Sequence, residues 1–400
     1  MQEKTNELLN ELLSQINSKE ELESVRSNLF KRGVESLLKA EMTAHLGCPK
    51  GAAPKGGNIR NGYSSKTIKT SQGDQRIDIP RDREASFDPI LVPKHKSMTE
   101  ELEGCVILLY AKGVSNADIV DFMEKTYGAK YSTSQISMIT NQLLSDIREW
   151  QIRPLADQYA VVWIDAIHYK IRQDGKVISK ACMVVLGIDM DGRQDILSLS
   201  ILENESAAGW MGILDNLKSR GVKDILFLCS DNLSGITKAG EAVFPNSIHQ
   251  ICIVHQVRNS MRYVNWKDRK AIIKDIKAIY QSINEESAKE AFEVFKQRWS
   301  KQYPIAVRSW EENWNHLTAF LSFPQEIRKL IYTTNIIESF NAVLRKHTKN
   351  KRVFPTDDAA LKSIYLAFQQ IKPSWEKSRI GWTKIRNQLA IHFEKRILDL

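Results

Sequence analysis

Three carboxylates lie where the sequence otherwise predicts a buried core. Asp165 directly follows the apolar run Ala160–Ile164, Asp231 comes two residues after the apolar run Ile225–Cys229, and Glu338 lies among apolar residues of a predicted helix. Burying an unpaired carboxylate is costly and drives it to take up a proton. A chain that places three of them near its core usually holds a hard divalent cation, because Mg²⁺ prefers carboxylate oxygen and water. Since two such ions can drive in-line phosphoryl transfer, the pattern predicts a metal-dependent polynucleotidyl transferase.

Each of these acids also has an ordinary structural interpretation. Ser230, Asp231 and Asn232 form a polar cluster of the kind that makes a turn, because Asp and Asn side chains bond their own backbone. Asn335 followed three residues later by Glu338 is the spacing of a capping box. Only a fold that brings the three acids together favours the metal site.

Composition places the chain among ordinary globular proteins. Its 400 residues, 42% hydrophobic and 26% charged, are enough for two or three domains. No apolar run approaches the ~20 residues needed to span a bilayer, and the N-terminus is too polar for a signal peptide. The five cysteines are scattered and odd in number. That pattern favours reduced thiols, and we expect a cytoplasmic protein without a membrane partner.

The positive charge is concentrated in two segments. The net charge is +9, with 13 Lys and Arg against 5 Asp and Glu in residues 341–400, and 8 against 3 in residues 47–83. A solvated basic face explains either segment alone. Together they favour a polyanion, DNA or RNA, held at several points.

Residues 1–98 predict a helix followed by a basic region. Ser18 with Glu21 makes a capping box, and an apolar stripe continues to a stop at Gly47. Residues 49–98 are rich in Gly, Pro, Ser and Lys, with a hairpin expected at Gln72-Gly73-Asp74. This region either follows a phosphate backbone or serves as a linker, and its charge favours the first.

Residues 99–153 predict three helices with glycine breaks between them: Glu101–Lys112, Ser115–Tyr127 and Thr133–Trp150. This is the layout of a helix-turn-helix DNA-binding domain, although short three-helix units also occur as plain packing modules. The third helix has an apolar face and an opposite polar face. Its candidate DNA-binding residues are Ser134, Gln135, Ser137 and Asn141.

Residues 154–257 change to a strand pattern interrupted by two helices. The predicted order is β-β-β-α-β-α-β, with elements at Gln158–Arg172, Ala181–Asp189, Arg193–Leu202, Ser206–Arg220, Asp224–Cys229, Ser234–Val243 and Ser247–Val254. This order predicts an α/β ribonuclease-H-like core with a mixed sheet. In that topology the first strand lies beside the fourth, which would bring Asp165 next to Asp231.

Residues 258–330 predict an all-α insertion that interrupts this core. Helical patterns run over Trp266–Tyr280, Glu286–Gln302 and Ile305–Phe323. Four tryptophans lie here. Either they are core residues of the insertion, or one of them stacks on an unpaired base at a DNA end. Residues 331–400 then complete the core with basic C-terminal helices.

Four segments together resemble one family, the Mutator-type insertion-sequence transposases of bacteria. They are DAIHYKIR at 165–172, FPNSIHQICIVHQVRN at 244–259, YPIAVRSWEENW at 303–314 and IYTTNIIESFNAVLRKHTKNKRVFP at 331–355. The resemblance implies that Asp165, Asp231 and Glu338 are a catalytic DDE triad that holds Mg²⁺, with Mn²⁺ as a substitute. It also implies binding to the terminal inverted repeats of an insertion sequence and to target DNA, as a homodimer or larger assembly in the bacterial cytoplasm near the nucleoid.

By the same resemblance, several other residues line the active site. These are Cys252 and His255 of a C-x-x-H signature, and Asn335, Asn341 and Arg345 of the helix around Glu338. Cations just downstream are expected along the DNA backbone: Lys346, Lys349, Lys351 and Arg352. The family commonly has Gly after the second Asp, where this chain has Asn232, a residue that tolerates a left-handed backbone.

Three alternatives remain open on the sequence. Cys252 and His255 are half of a zinc site, with His249 as a third ligand, although no second ligand pair has suitable spacing. A non-catalytic helix-turn-helix regulator would keep the ribonuclease-H-like domain as scaffold, but gains nothing from three buried acids. A nuclease acting on RNA in hybrids would not need the separate DNA-binding module.

Overall fold

The computed structural model divides into two units, residues 1–141 and residues 142–400. It describes residues 7, 10–11, 13–52, 57–70, 73–94, 98–128, 130–204, 206–232, 235–332, 335–349, 351–394 and 396–397, without the side chains of residues 335 and 374. Most of the helix expected before residue 18 lies outside these residues.

A long helix on a two-stranded sheet begins the first unit. Helix α1 (Lys19–Leu46) starts at the predicted cap, where the Glu21 backbone N–H donates to Ser18 Oγ at 3.1 Å, and ends at Gly47 with φ +63°. Strands β1 (Arg60–Thr70) and β2 (Gly73–Asp82) form the predicted antiparallel hairpin, in which Thr70 pairs with Gly73. Gln72 of the expected turn lies outside the described residues. The core between helix and hairpin comprises Leu38, Ile68, Ile77, Ile79 and Val92.

Three short helices complete this unit and pack on one another: α2 (Glu100–Ala111), α3 (Asn116–Tyr127) and α4 (Thr133–Asn141). Helix α3 begins at the predicted cap, because the Asp118 backbone N–H donates to Ser115 Oγ at 3.2 Å. It ends at Gly128, whose left-handed φ of +63° suits a helix C-terminus.

The expectation of one helix over Thr133–Trp150 is wrong. Helix α4 ends at Asn141, and a separate helix α5 (Leu143–Ile152) belongs to the second unit. Gln142 lies between them, and its carbonyl accepts hydrogen bonds from both the backbone N–H (3.3 Å) and the Oγ (2.6 Å) of Ser145. Both bonds join residues three positions apart, whereas an α-helix joins residues four positions apart. The regular helical pattern is therefore interrupted at Gln142.

A five-stranded mixed sheet forms the centre of the second unit. Its strands are β3 (Gln158–Gln173), β4 (Lys176–Asp189), β5 (Gln194–Leu202), β6 (Asp224–Ser230) and β7 (Ile248–Ile251), arranged β5-β4-β3-β6-β7. The pairs β3–β4 and β4–β5 are antiparallel, whereas β3–β6 and β6–β7 are parallel. Helices α6 (Ala207–Ser219) and α7 (Ile236–Val243) connect them in the order predicted from the sequence.

The last strand is shorter than predicted. Strand β7 ends at Ile251 instead of Val254, and helix α8 (Ile253–Ser260) follows at once. The pairing of β6 with β7 stops at the Ser230–Ile251 pair because β6 itself ends there. The Cys252 backbone N–H still donates to the Ser230 carbonyl at 2.9 Å, but the helix begins at the next residue, so the C-x-x-H segment lies at the start of a helix.

Residues 266–331 are helical, with α9 (Trp266–Tyr280), α10 (Glu285–Trp299), α11 (Pro304–Glu312), α12 (Trp314–Thr318) and α13 (Gln325–Ile331). The expected single helix Ile305–Phe323 is broken at Asn313, whose side-chain amide donates to the Ser309 carbonyl at 2.8 Å. That bond takes an acceptor that a continuing helix would use.

Helices α14 (Asn335–Thr348), α15 (Asp357–Trp375) and α16 (Trp382–Phe393) end the chain. Helix α14 packs against β3 and α15. The segment between α14 and α15 is tied to β3, since the Phe354 backbone N–H donates to the Lys170 carbonyl at 2.9 Å.

Among the described residues, none of the helices combines the length and the apolar character required to cross a membrane.

Candidate active site

Two of the three predicted acids are neighbours on adjacent parallel strands. Ile164 of β3 pairs with Ser230 of β6, so the next residues along the two strands are Asp165 and Asp231. Neighbouring strands lie about 4.8 Å apart. The two carboxylates therefore project from the same edge of the sheet, at the end of β6 where the ladder stops.

Asp165 is a buried carboxylate with two hydrogen-bond donors. The Ala166 backbone N–H donates to its Oδ1 at 2.8 Å, and the side-chain amide of Asn341 donates to its Oδ2. The residue is only 8% exposed. Burial, followed by the negative charge of Asp231, raises the pKa of Asp165 to about 6, against the opposing effect of the two donors.

His255 forms an ion pair with the second acid. Its Nδ1 contacts Asp231 Oδ1, and the ring is held from α8, whose first turn begins just after Cys252. The interaction with Asp231, followed by that with Cys252, raises the pKa of His255 to about 10. The imidazole is therefore positively charged at neutral pH.

The same imidazole reaches the third acid. His255 Nε2 lies 3.7 Å from Glu338 Oε1, and Arg258 of the next helical turn lies 3.7 Å from the same oxygen. Glu338 comes from the first turn of α14 and is partly exposed. The three acids predicted from the sequence thus belong to one cluster, with His255 between two of them.

Within the described residues, Asp231, Cys252 and His255 form a group that could hold a metal ion, because one ligand atom from each lies within 4.8 Å of the others. His249, considered above as a third zinc ligand, is outside this group. It is buried, with Nε2 2.8 Å from Ser230 Oγ and its ring 5.1 Å from that of His316. Burial, followed by the charge of His316, lowers the pKa of His249 to about 3.

The remaining predicted residues of α14 and its downstream segment vary in position. Asn341 contacts Asp165, whereas Arg345 is exposed in the last turn of α14. The side chain of Asn335 lies outside the described residues. The cations Lys346, Lys349 and Arg352 are exposed. Lys351 is mostly buried, and its Nζ donates to Ser363 Oγ at 3.1 Å.

The candidate base-contacting residues lie on α4 in the first unit. Ser134 and Asn141 are exposed, and Ser137 is partly exposed. Gln135 completes a capping box, since its Oε1 accepts from the Ser132 backbone N–H at 2.9 Å and its own N–H donates to Ser132 Oγ at 3.2 Å. Its amide oxygen is therefore already engaged in starting the helix.

Arg258 was missed by the sequence analysis. Its position carried a usable signal, because it follows His255 by three residues, and that spacing places two side chains on one face of a helix. The predicted strand Ser247–Val254 hid this spacing, because it left no helix beginning at Ile253.

Comparison with known proteins identifies the family. The family model described as "Transposase, Mutator family" matches residues 1–378. The chain is 37% identical to a probable transposase for an ISRM3-like insertion sequence element of Sinorhizobium fredii, over 98% of this chain and 99% of that protein. It is 36% identical to the transposase for insertion sequence element ISRM3 of Rhizobium meliloti, again over 98% and 99%.

A transposase for insertion sequence element IS1201 of Lactobacillus helveticus is 33% identical over 82% of this chain and 90% of its own length. Among solved structures, a chain of the simian T-cell lymphotropic virus intasome in complex with the PP2A regulatory subunit B56 gamma aligns with 51% of this chain and 66% of its own, at 10% identity and a TM-score of 0.18. That score is too low to bear on the fold. The family model and the identities over nearly the full length show that the chain belongs to the Mutator family of transposases.

Proposed function

We propose that this transposase cuts and joins DNA with a DDE centre made of Asp165, Asp231 and Glu338. The observation that carries the proposal is the convergence of the three acids. Asp165 and Asp231 follow paired residues of adjacent strands. His255 contacts both Asp231 and Glu338, and Arg258 contacts Glu338. Their separation in sequence, and their origin on three different elements, argue against three independent turn or cap residues.

The residues fit a divalent cation. Burial, followed by the charge of Asp231, raises the pKa of Asp165 to about 6, so the fold disfavours an anion that a bound cation would stabilise. The imidazolium of His255 contacts Asp231 and Glu338. Carboxylate oxygens are hard ligands that suit Mg²⁺, with Mn²⁺ as a substitute. Cys252 would favour a softer ion, but the His255 imidazolium has no ring lone pair to offer a metal, and the three carboxylates favour Mg²⁺.

Each side chain then has a defined task. Bound ions would supply an activated water and stabilise charge on the attacked phosphate. Asp165, Asp231 and Glu338 would hold these ions. Asn341 orients Asp165 through its amide, and Arg258 orients Glu338. None of these steps requires a nucleophilic side chain.

The strand order supports a ribonuclease-H-like core as the scaffold of this centre. The sheet order β5-β4-β3-β6-β7, with a parallel β3–β6 pair carrying two acids, is the arrangement expected for that fold. We assign residues 154–257 and 331–400 to the core and residues 258–330 to an all-α insertion.

We assign DNA recognition to the remaining parts of the chain. Residues 99–141, the part of the predicted 99–153 domain that lies in the first unit, would act as a helix-turn-helix domain on the terminal inverted repeats, with Ser134 and Asn141 exposed for base contacts. Residues 1–98 would contribute a basic surface. Joining two element ends to a target requires at least a dimer.

A strand-transfer assay with labelled element-end DNA and Mg²⁺ tests the proposal. Asp165→Asn, Asp231→Asn and Glu338→Gln should each abolish cleavage and joining and leave DNA binding largely intact, because each change keeps the shape but removes a charge. Glu241→Gln, at an exposed carboxylate on α7, is the matched control and should remain active.

A structural role for Glu338 predicts a different outcome, since Gln also completes a capping box. Near-normal turnover in Glu338→Gln would therefore remove Glu338 from the catalytic centre. Retained turnover in all three variants would leave the non-catalytic role of the cluster as the better account.

A further inference from the structure

Helix α8 leads from the acid cluster to an exposed aromatic surface. His255 and Arg258 contact the acids, and the chain then passes through a 3-10 turn to the start of α9. Two aromatic side chains are exposed there, Tyr263 by 54% and Trp266 by 84%. We call these two residues the aromatic pair.

Trp266 differs from the buried tryptophans of the helical region. Trp299 and Trp310 are 6% and 0% exposed, and their ring N–H groups donate to Asp275 Oδ2 at 2.7 Å and Ser260 Oγ at 3.0 Å. They have the packing and hydrogen bonds expected of core tryptophans. Trp266 instead presents its ring to solvent, three positions from a second exposed aromatic residue.

Cations flank the aromatic pair in the sequence. Arg258, Arg262, Lys267 and Lys270 are all exposed. The acid of this segment, Asp268, is engaged elsewhere, because it accepts hydrogen bonds from Tyr303 Oη at 2.6 Å and Gln302 Nε2 at 3.0 Å. The exposed surface is therefore aromatic and positively charged.

We propose that Tyr263 and Trp266 stack on unpaired bases of a DNA strand beside the acid cluster, while the neighbouring cations hold its phosphates. Single strands are bound elsewhere by this combination, in which aromatic faces stack on bases and basic groups follow the backbone. A protein partner would not require the flanking cations. The choice of DNA, and the position next to the reacting strand, rest on the proposed function.

Two labelled single-stranded probes separate base stacking from phosphate binding: an oligothymidylate and an abasic oligonucleotide of equal length. Full-length protein is titrated in EDTA, so that no cleavage occurs. Trp266→Ala should weaken binding of the oligothymidylate about five- to hundredfold and change binding of the abasic probe little. Trp266→Phe should retain most of the affinity, because an aromatic face remains.

Two further variants define the surface. Val294→Ala, at an apolar residue of α10 that is 61% exposed, is the matched control and should bind both probes normally. Arg262→Gln combined with Lys267→Gln should weaken both probes and flatten the salt dependence of binding, since phosphates are present in both. Thermal unfolding of each variant checks that it is folded.

Three results would overturn the proposal. They are unchanged binding of oligothymidylate by Trp266→Ala, an equal loss on both probes, or a change of oligomeric state without DNA, which would indicate a protein interface. The outcome is separable from that of the catalytic proposal. Binding in EDTA does not depend on the acids. If the DDE variants kept their cleavage activity, the stacking result would still stand. If Trp266→Ala bound both probes normally, the result for the DDE variants would still stand.

Discussion

At the scale of single residues, Asp165 is a carboxylate whose ionisation is disfavoured by the metal-free fold. Burial and the charge of Asp231 raise its pKa from the ordinary 3.8 to about 6. Between these two values the folded state binds more protons than the unfolded state. The contribution of Asp165 to stability is therefore present at low pH and is lost as pH rises through about 6. Near neutral pH the ionised residue destabilises the metal-free protein.

Asp165→Asn should consequently raise the melting temperature of the metal-free protein at neutral pH. The variant removes the buried charge and keeps one oxygen that can accept from Asn341, while the Ala166 backbone N–H loses its side-chain acceptor. A shift of about two pKa units corresponds to at most about 3 kcal/mol. Thermal unfolding in EDTA measures the effect. Added Mg²⁺ should stabilise the wild type more than the variant, because in the proposed centre the ion binds the folded state through Asp165.

Glu241→Gln, which changes an exposed carboxylate, should leave the melting temperature nearly unchanged in both conditions. If Asp165→Asn melted below the wild type in EDTA, Asp165 would be a stabilising structural residue. The interpretation of the cluster as a cation-binding site would then be wrong.

At the scale of elements, α14 combines the third acid with a row of exposed cations. Glu338 lies in its first turn, and Lys346, Lys349 and Arg352 are exposed at its end or just beyond. Lys351 is excluded from this set because its Nζ donates to Ser363.

Neutralising the three exposed cations with Gln should weaken DNA binding and leave sequence preference nearly unchanged, because phosphate contacts carry no base information. Each lost contact should flatten the dependence of log affinity on log salt by about 0.9 on duplex DNA. A salt titration of binding measures the slope. Lys289→Gln, at an exposed cation of α10, is the control. A triple variant with the wild-type slope would show that these cations face solvent.

Most helices and strands could be predicted from the sequence. Apolar strand patterns and caps such as Ser18 and Ser115 placed most boundaries within a few residues, and the strand order placed Asp165 beside Asp231. The breaks at Gln142 and Asn313 were missed, because they depend on individual side-chain hydrogen bonds that periodicity does not report.

The side-chain contacts inside the site were harder to predict from the sequence. The resemblance placed Asn341 at the site, but its bond to Asp165 joins residues 176 positions apart and depends on how α14 packs on β3. Likewise, Arg258 is assigned to the site only once the segment after β7 is known to be a helix. The types of residue were predictable from sequence, whereas their pairings required the packed structure.

At the level of the whole molecule, the proposed functions are divided between the two units. The first carries α4 with its exposed polar residues, and the second carries the acid cluster, the aromatic pair and the cations after α14. Both basic segments of the sequence thus belong to proposed DNA-binding regions. In the proposed mechanism, the three acids hold the ions that catalyse strand transfer.

A metal-substitution assay tests that claim most directly. Mg²⁺ binds thiolate poorly, whereas transition-metal ions such as Mn²⁺ accept it more readily. Asp165→Cys should be inactive in strand transfer with Mg²⁺ and recover activity with Mn²⁺, whereas Asp165→Ser, which lacks a thiolate, should remain inactive with both. If the Cys variant had the same activity with either ion, or the Ser variant recovered equally with Mn²⁺, Asp165 would not be a ligand of the catalytic ions and the proposed mechanism would be contradicted.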